Sequence, residues 1–150
     1  MGRMCSAVFD NITVTNDSDQ DIIELVNSAN CVAILHAIEM TSGVTTDEVV
    51  RLRLMRRSTT GTGGTGITET HMDGDTSTIQ VAASYLVTTP GTASDILEAW
   101  QWHQLIPFQF IPTPECRPII APSGRIALNL QSAVASSRVW SGHAIWEELS

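Results

Sequence analysis

Residues 111–130, IPTPECRPIIAPSGRIALNL, decide the fold class. Pro112, Pro114, Pro118 and Pro122 each lack an amide hydrogen and clash with a preceding helical turn, so the segment is expected to run extended. Ser123-Gly124 offers a turn. Residues 125–130, RIALNL, then alternate apolar with polar or small side chains at the period of a half-buried strand. The stretch reads as an all-β landmark.

Outward from it, the same period recurs. Residues 138–149, RVWSGHAIWEEL, set Trp140, Gly142, Ala144 and Trp146 against Val139, Ser141, His143 and Ile145, a closing strand. On the other side, residues 95–106, DILEAWQWHQLI, could follow a helix cap at Ser94. Ile96, Trp100, Trp102 and Ile106 share a face only in a strand, however, and Trp and Ile favour strands, so a strand is expected. Residues 78–88 group Ile79, Val81, Tyr85 and Val87, and Pro90-Gly91 marks a turn. Residues 48–57, EVVRLRLMRR, place Val50, Leu52 and Leu54 inward and Arg51 and Arg53 outward.

Residues 31–40, CVAILHAIEM, read as a strand covered on both faces, although Ala, Leu, Glu and Met also suit a helix. Residues 22–26 are too short for periodicity to separate a strand from one helical turn. Residues 7–15, AVFDNITVT, form the expected first strand, with Val8, Ile12 and Val14 on one face and Phe9, Asn11 and Thr13 on the other. Residues 16–21 are polar punctuation, and the Gly- and Thr-rich residues 58–70 read as an exposed, flexible loop. About eight or nine strands separated by turn signals predict a two-sheet antiparallel β-sandwich, jelly-roll-like, in one domain spanning residues 1–150.

Composition narrows the function classes. A chain of 150 residues is long enough to bury a core without a metal or disulfide. All eight basic residues are arginines, and sixteen carboxylates leave a net charge of -8. That balance disfavours nucleic acid, which needs a basic stripe to displace counterions; the cluster Arg51, Arg53, Arg56 and Arg57 is interrupted by apolar residues. Arginine without lysine suits ion pairs at packed interfaces, or reflects compositional drift. Charged residues are only 16%, against roughly 25% in typical soluble domains, which fits a surface partly covered by a partner or a robust monomer with hydroxyl-rich loops. There is no apolar run of membrane-spanning length and no signal-peptide core, so folding in a cytoplasm is expected, away from membranes. Gly2 and Ser6 match a myristoylation pattern in letter, without the second anchor that stable membrane binding needs.

No motif carries catalysis or a cofactor. Cys5, Cys31 and Cys116 lack metal-site or disulfide spacing and read as buried thiols. Gly61, Gly63 and Gly66 spell GxGxxG, but the following ITETHMDGD does not open the helix that a dinucleotide site requires. Asp17, Asp19 and Asp21 begin like a calcium loop, yet Ile22 and Ser28 occupy the positions where glycine and glutamate belong. His71, Asp73 and Asp75 read as a solvated turn rather than a metal site. The four histidines are scattered singly, no GxSxG is present, and the chain is not expected to be an enzyme. Trp100, Trp102, Trp140 and Trp146 admit three readings: core, sugar platform, or anchors at a protein interface. Neighbouring apolar residues favour burial of Trp100 and Trp102 and leave Trp140 and Trp146 freer to meet a partner.

Residues 112–130, PTPECRPIIAPSGRIALNL, followed by SGHAIWEEL, resemble a family of small phage and prophage virion proteins. The likeness lies in the Pro-Thr-Pro-Glu turn, the proline-glycine turn before an alternating strand, and the closing Ser-Gly strand ending in aromatic-Glu-Glu. It covers chiefly residues 100–149, with an echo in AVFDNITVT, and departs where Cys116 and Arg117 follow Glu115. The resemblance implies a jelly-roll-like capsid cement or decoration subunit on the exterior of a phage head. Its expected partners are the major capsid protein and further copies of itself, as a homotrimer, with no catalytic residues. Arg56, Arg57 and Arg117 are then expected to pair with carboxylates such as Glu115, Glu147 or Glu148, while Trp146 anchors an apolar contact. The alternative is a carbohydrate-binding or fibre-attachment module using Trp100 or Trp102.

Overall fold

Strict alternation in the arginine-bearing segment buries Val50, Leu52 and Leu54 and leaves Arg51 in water, which makes it a strand with one face on a core. In the computed structural model, which describes residues 2–15, 19–131 and 134–149, such strands account for nearly all regular structure. In chain order they are β1 Arg3–Val14, β2 Gln20–Asn27, β3 Val32–Ser42, β4 Val49–Arg57, β5 Thr65–Ile67 and β6 Glu69–His71. There follow β7 Val81–Val87, β8 Ala93–His103, β9 Phe108–Phe110, β10 Ile119–Ile120, β11 Arg125–Leu130 and β12 Arg138–Leu149.

The strands form two six-stranded antiparallel sheets. The first has the order β10-β3-β12-β1-β6, with β9 also on β3; the second has the order β5-β7-β2-β11-β4-β8. β1 pairs with β12, β2 with β11, β3 with β9 and β10, and β4 with β8. The first strand thus meets the last, the second the next to last, and so inward. This is the path of one long hairpin rolled into two facing sheets, the eight-stranded jelly roll. β5, β6 and β7 lie in an insertion between β4 and β8 that extends the far edges of both sheets. The expected two-sheet fold is present with twelve strands among the described residues: the Gly- and Thr-rich loop supplies β5 and part of β6, and the proline segment splits one strand into β9 and β10.

Bulges in several strands alter which side chains face the core. In β1 the register shifts between Phe9 and Ile12, and Asn11 adopts a left-handed φ of 51°. Phe9 and Ile12 therefore both point inward, and Val8, expected to share a face with Ile12, is 61% exposed. A shift in β8 turns Ile96 outward while Leu97 packs on the core. A third, where β3 meets Ile145 and Trp146, lets Ala37 and Ile38 both be buried. β3 buries one face only; Val32, Ile34 and His36 on the other are half-buried, so the expected double cover is corrected.

β2 is a strand, and like β11 it is buried on nearly every residue. Its polar Glu24 lies beneath the segment read as a flexible loop, which is pinned instead. The Gly61 N–H donates to both Glu24 oxygens at 3.1 and 3.3 Å, and Arg125 Nε donates to the Thr60 hydroxyl at 2.6 Å. Gly91 makes this closure sterically feasible, because a Cβ there would collide with the Thr59 carbonyl. The proline segment is not extended throughout: residues Pro114–Cys116 form a single 3₁₀ turn. Proline tolerates that place because the first helical N–H has no partner to lose. Asp17 of the calcium-like triplet lies outside the described residues.

Candidate functional site

The residues expected to meet a partner divide into an inner and an outer group. Trp146 is fully buried in the core, and Trp140 likewise, so neither anchors a partner. Both sit on the inward face of β12, where alternation with Val139 and Ile145 had put them; burial follows because that face meets the second sheet. Glu148 is also fully buried. Its Oε1 accepts the N–H groups of Gln80 and Val81 at 2.8 and 2.9 Å, and its Oε2 accepts Arg3 at 3.2 Å. Arg57 pairs with buried Asp21 at 2.5 Å and donates to the Gly91 carbonyl at 3.0 Å. Those four side chains hold the sandwich together, and their expected contact with a partner is corrected.

The outer group is Arg56, Glu115, Arg117 and Glu147. Glu115 is exposed at the 3₁₀ turn and Arg117 half-buried beside it. Arg56 reaches across to donate to the Ile119 carbonyl at 2.8 Å, which ties β4 to the proline corner. Glu147 lies on the outer face of the first sheet, 3.3 Å from His36 Nε2. No arginine among them pairs with Glu115, Glu147 or Glu148.

Sequence reasoning missed two features. Four of the ten large hydrophobic side chains exposed among the described residues fall between positions 105 and 119: Leu105 at 52%, Ile106 at 59%, Ile111 at 62% and Ile119 at 52%. They follow the chain that runs along the edge of β3 away from β12, where β9 and β10 pair. Prolines 107, 112, 114 and 118 stiffen the same course. Their signal was a dense apolar content among prolines, which reads equally well as core.

The second feature is a trough of about 370 Å³ across the outer face of the first sheet. Phe9, Gly142, Met40 and Phe108 stand in register across β1, β12, β3 and β9, and their backbone is the floor. One wall is the neighbouring row Val8, His143, Glu39 and Gln109; the other is Asp10, Ser141, Thr41 and Pro107. Gly142 allows the strands to approach here, since a Cβ would lie 2.6 Å from Met40 Cβ and 2.8 Å from Phe9 Cζ. Within the walls, Ser141 donates to Asp10 at 2.8 Å, Gln109 donates to Glu39 at 3.1 Å, and His143 lies 3.5 Å from Glu39.

Other polar clusters are consumed locally. Asp73 accepts the Asp75 N–H at 3.1 Å, and Asp75 accepts both the N–H and hydroxyl of Ser77 at 3.0 and 2.9 Å. Those Ser77 bonds hold the Asp75 carboxyl below its ordinary range. His71 faces the Ser77 carbonyl at 2.7 Å. Among the described residues no group of three or more His, Cys, Asp or Glu side chains is placed to hold a metal ion. Gly66, the last glycine of GTGGTG, lies in β5, not at a helix start. Burial, reinforced by the Glu148 charge, pushes the Cys5 thiol up to about 12, which leaves it un-ionised and poorly nucleophilic. Trp102 is 5% exposed, donates to the Ile106 carbonyl at 2.7 Å and stands edge-on to Trp140 at 5.0 Å. Trp100 packs edge-on to Phe108 and Phe110 at 5.2 and 5.4 Å. These rings form an aromatic wedge closing one end of the core, and Trp102 is not a sugar platform.

Among the described residues no helix is long and apolar enough to cross a membrane. Compared with protein-family models, with curated proteins and with solved structures, the chain matches none of them.

Proposed function

We propose that this chain is a structural virion protein: a cement or decoration subunit on the exterior of a phage capsid, assembling as a homotrimer and binding the major capsid protein. The observation that carries the reading is the apolar edge formed by Leu105, Ile106, Ile111 and Ile119. Monomeric soluble proteins scatter exposed hydrophobic side chains singly, and a row of them on a stiff backbone marks a protein contact. Arg56, Glu115 and Arg117 border that row as the polar rim such contacts carry. A net charge of -8 suits the outside of a shell, where packaged nucleic acid repels an acidic protein from the inside. The jelly roll itself is a fold of capsid and lectin domains, which supports the class and not the partner.

Light scattering of the full chain, followed by co-sedimentation with purified capsids, tests this. A trimer that pellets with capsids is expected, and Ile111→Asp with Ile119→Asp reduces pelleting at least about tenfold, the loss of one strong apolar anchor. A wild-type chain that stays monomeric and leaves capsids in the pellet without it overturns the reading.

A further inference from the structure

The trough on the outer face of the first sheet has a chemistry separate from the apolar edge. Its two walls carry both kinds of hydrogen-bonding group at close intervals. Glu39 takes Gln109 on one oxygen and faces His143 with the other, while Asp10 takes Ser141 on Oδ1. An ionised carboxylate has about four lone-pair sites, so each retains acceptor capacity toward the trough. The Thr41 hydroxyl and the remaining N–H and oxygen of the Gln109 amide add donors and acceptors, while Ser141, which donates to Asp10 and accepts the Asn11 N–H, keeps one lone pair. The floor is different: strand backbone already engaged in the sheet ladder, flanked by the apolar side chains of Val8 in one wall and Pro107 in the other.

We propose that this trough binds a neutral saccharide. A sugar ring offers hydroxyls that donate and accept in several directions around its rim and a C–H face that packs against Val8, Pro107 and a floor whose backbone polar groups are already satisfied by the sheet. Other ligand classes fit worse. An anion meets Asp10 and Glu39 with no arginine in the lining. A wholly apolar molecule strips water from the wall groups without replacing their hydrogen bonds. An organic ammonium gains little from aromatic faces, because the rings of Phe9 and Phe108 are 1% and 5% exposed and belong to the core. The volume of about 370 Å³ lies at the small end of the range for small-molecule sites, which suits one or two sugar rings.

The site is independent of the apolar edge, and its test is separate from capsid binding. The full chain is titrated by NMR with glucose, galactose, mannose, N-acetylglucosamine and their common disaccharides, with sulfate and tetramethylammonium as ionic probes. At least one saccharide is expected to bind with a dissociation constant on the order of 1 mM, shifting the signals of Gln109 and His143. Gln109→Ala and Glu39→Ala, both at the sheet surface, each weaken that binding by about fivefold to tenfold while the backbone spectrum elsewhere and capsid pelleting stay unchanged. No saccharide shift at tens of times that concentration overturns the proposal. So does saccharide binding that both variants leave intact, or a trough that tetramethylammonium fills in preference.

Discussion

Glu148, near the end of the closing strand in the first sheet, accepts the backbone N–H of Val81, the first residue of β7 in the second sheet, at 2.9 Å. The same oxygen takes the Gln80 N–H at 2.8 Å and the Trp146 indole at 3.3 Å, and the other takes Arg3. One carboxylate thus fixes how the insertion strand enters its sheet. Glu148→Ala removes a buried partner from two amides and an arginine at once. A loss of about 3–5 kcal/mol is expected, a large share of the roughly 5–15 kcal/mol that stabilises a domain. Glu148→Gln, which keeps one oxygen for the amides, loses less. Urea midpoints rank the three proteins, and an alanine variant within about 0.5 kcal/mol of wild type contradicts the assignment.

Arg57 and Asp21 form the second buried pair, with side chains 4% and 0% exposed. Asn129 also donates to Asp21 at 2.9 Å, yet Asp21 Oδ2 and Arg57 Nε have no hydrogen-bond partner among the described residues. Such a pair is expensive to break and cheap to replace. Arg57→Ala leaves a buried carboxylate facing no cation and is expected to cost about 3–5 kcal/mol, whereas Arg57→Met combined with Asp21→Leu recovers most of that loss. Equal destabilisation of the single and double variants in chemical denaturation goes against this account.

Much of this architecture was readable from local pattern. The alternation of Val50, Leu52 and Leu54, and of Trp140, Ala144 and Trp146, gave both strands and inward faces, because a side-chain period of two needs nothing beyond the strand itself. The faces of Val8 and Ile96 were misread because a bulge adds one residue and inverts every side chain beyond it. Nothing in AVFDNITVT announces that Asn11 takes a positive φ. The partners of Glu148, Asp21 and Glu24 lie 145, 36 and 37 residues away in sequence, so no local pattern marks these acidic side chains as ties of the interior. The same blindness hid the trough, whose walls come from four strands.

Cysteine chemistry separates buried from exposed positions. Cys5 and Cys31 are buried and their thiols are pushed up, by burial first and then by the Glu148 charge, whereas Cys116 is exposed at the 3₁₀ turn. A thiol reagent applied to the folded chain at mildly alkaline pH is expected to modify Cys116 rapidly and the other two only after denaturant is added. Mass spectrometry of the native protein checks this, and early labelling of Cys5 would show that the β1 edge opens.

The acid response of the fold depends on carboxyls shifted in opposite directions. Burial, only partly offset by the Gly61 N–H, raises Glu24 above its ordinary 4.5, and burial likewise raises Asp21 against the pull of Arg57. A raised carboxyl binds its proton more readily in the folded than in the unfolded chain, so its contribution is fully present below the unfolded value and is lost as pH rises through the folded one. Asp75, lowered by Ser77, behaves oppositely: its contribution is present above its ordinary 3.8 and is lost as pH falls through the folded value. Stability is therefore expected to rise on moving from neutral pH toward the ordinary Glu24 value, then to turn down further into acid. Glu24→Gln keeps an acceptor for Gly61, removes the buried charge and flattens the rise; Asp75→Asn leaves the rise and softens the downturn. Urea midpoints measured across that window decide the matter, and a Glu24→Gln chain with the wild-type slope throughout rules Glu24 out as its source.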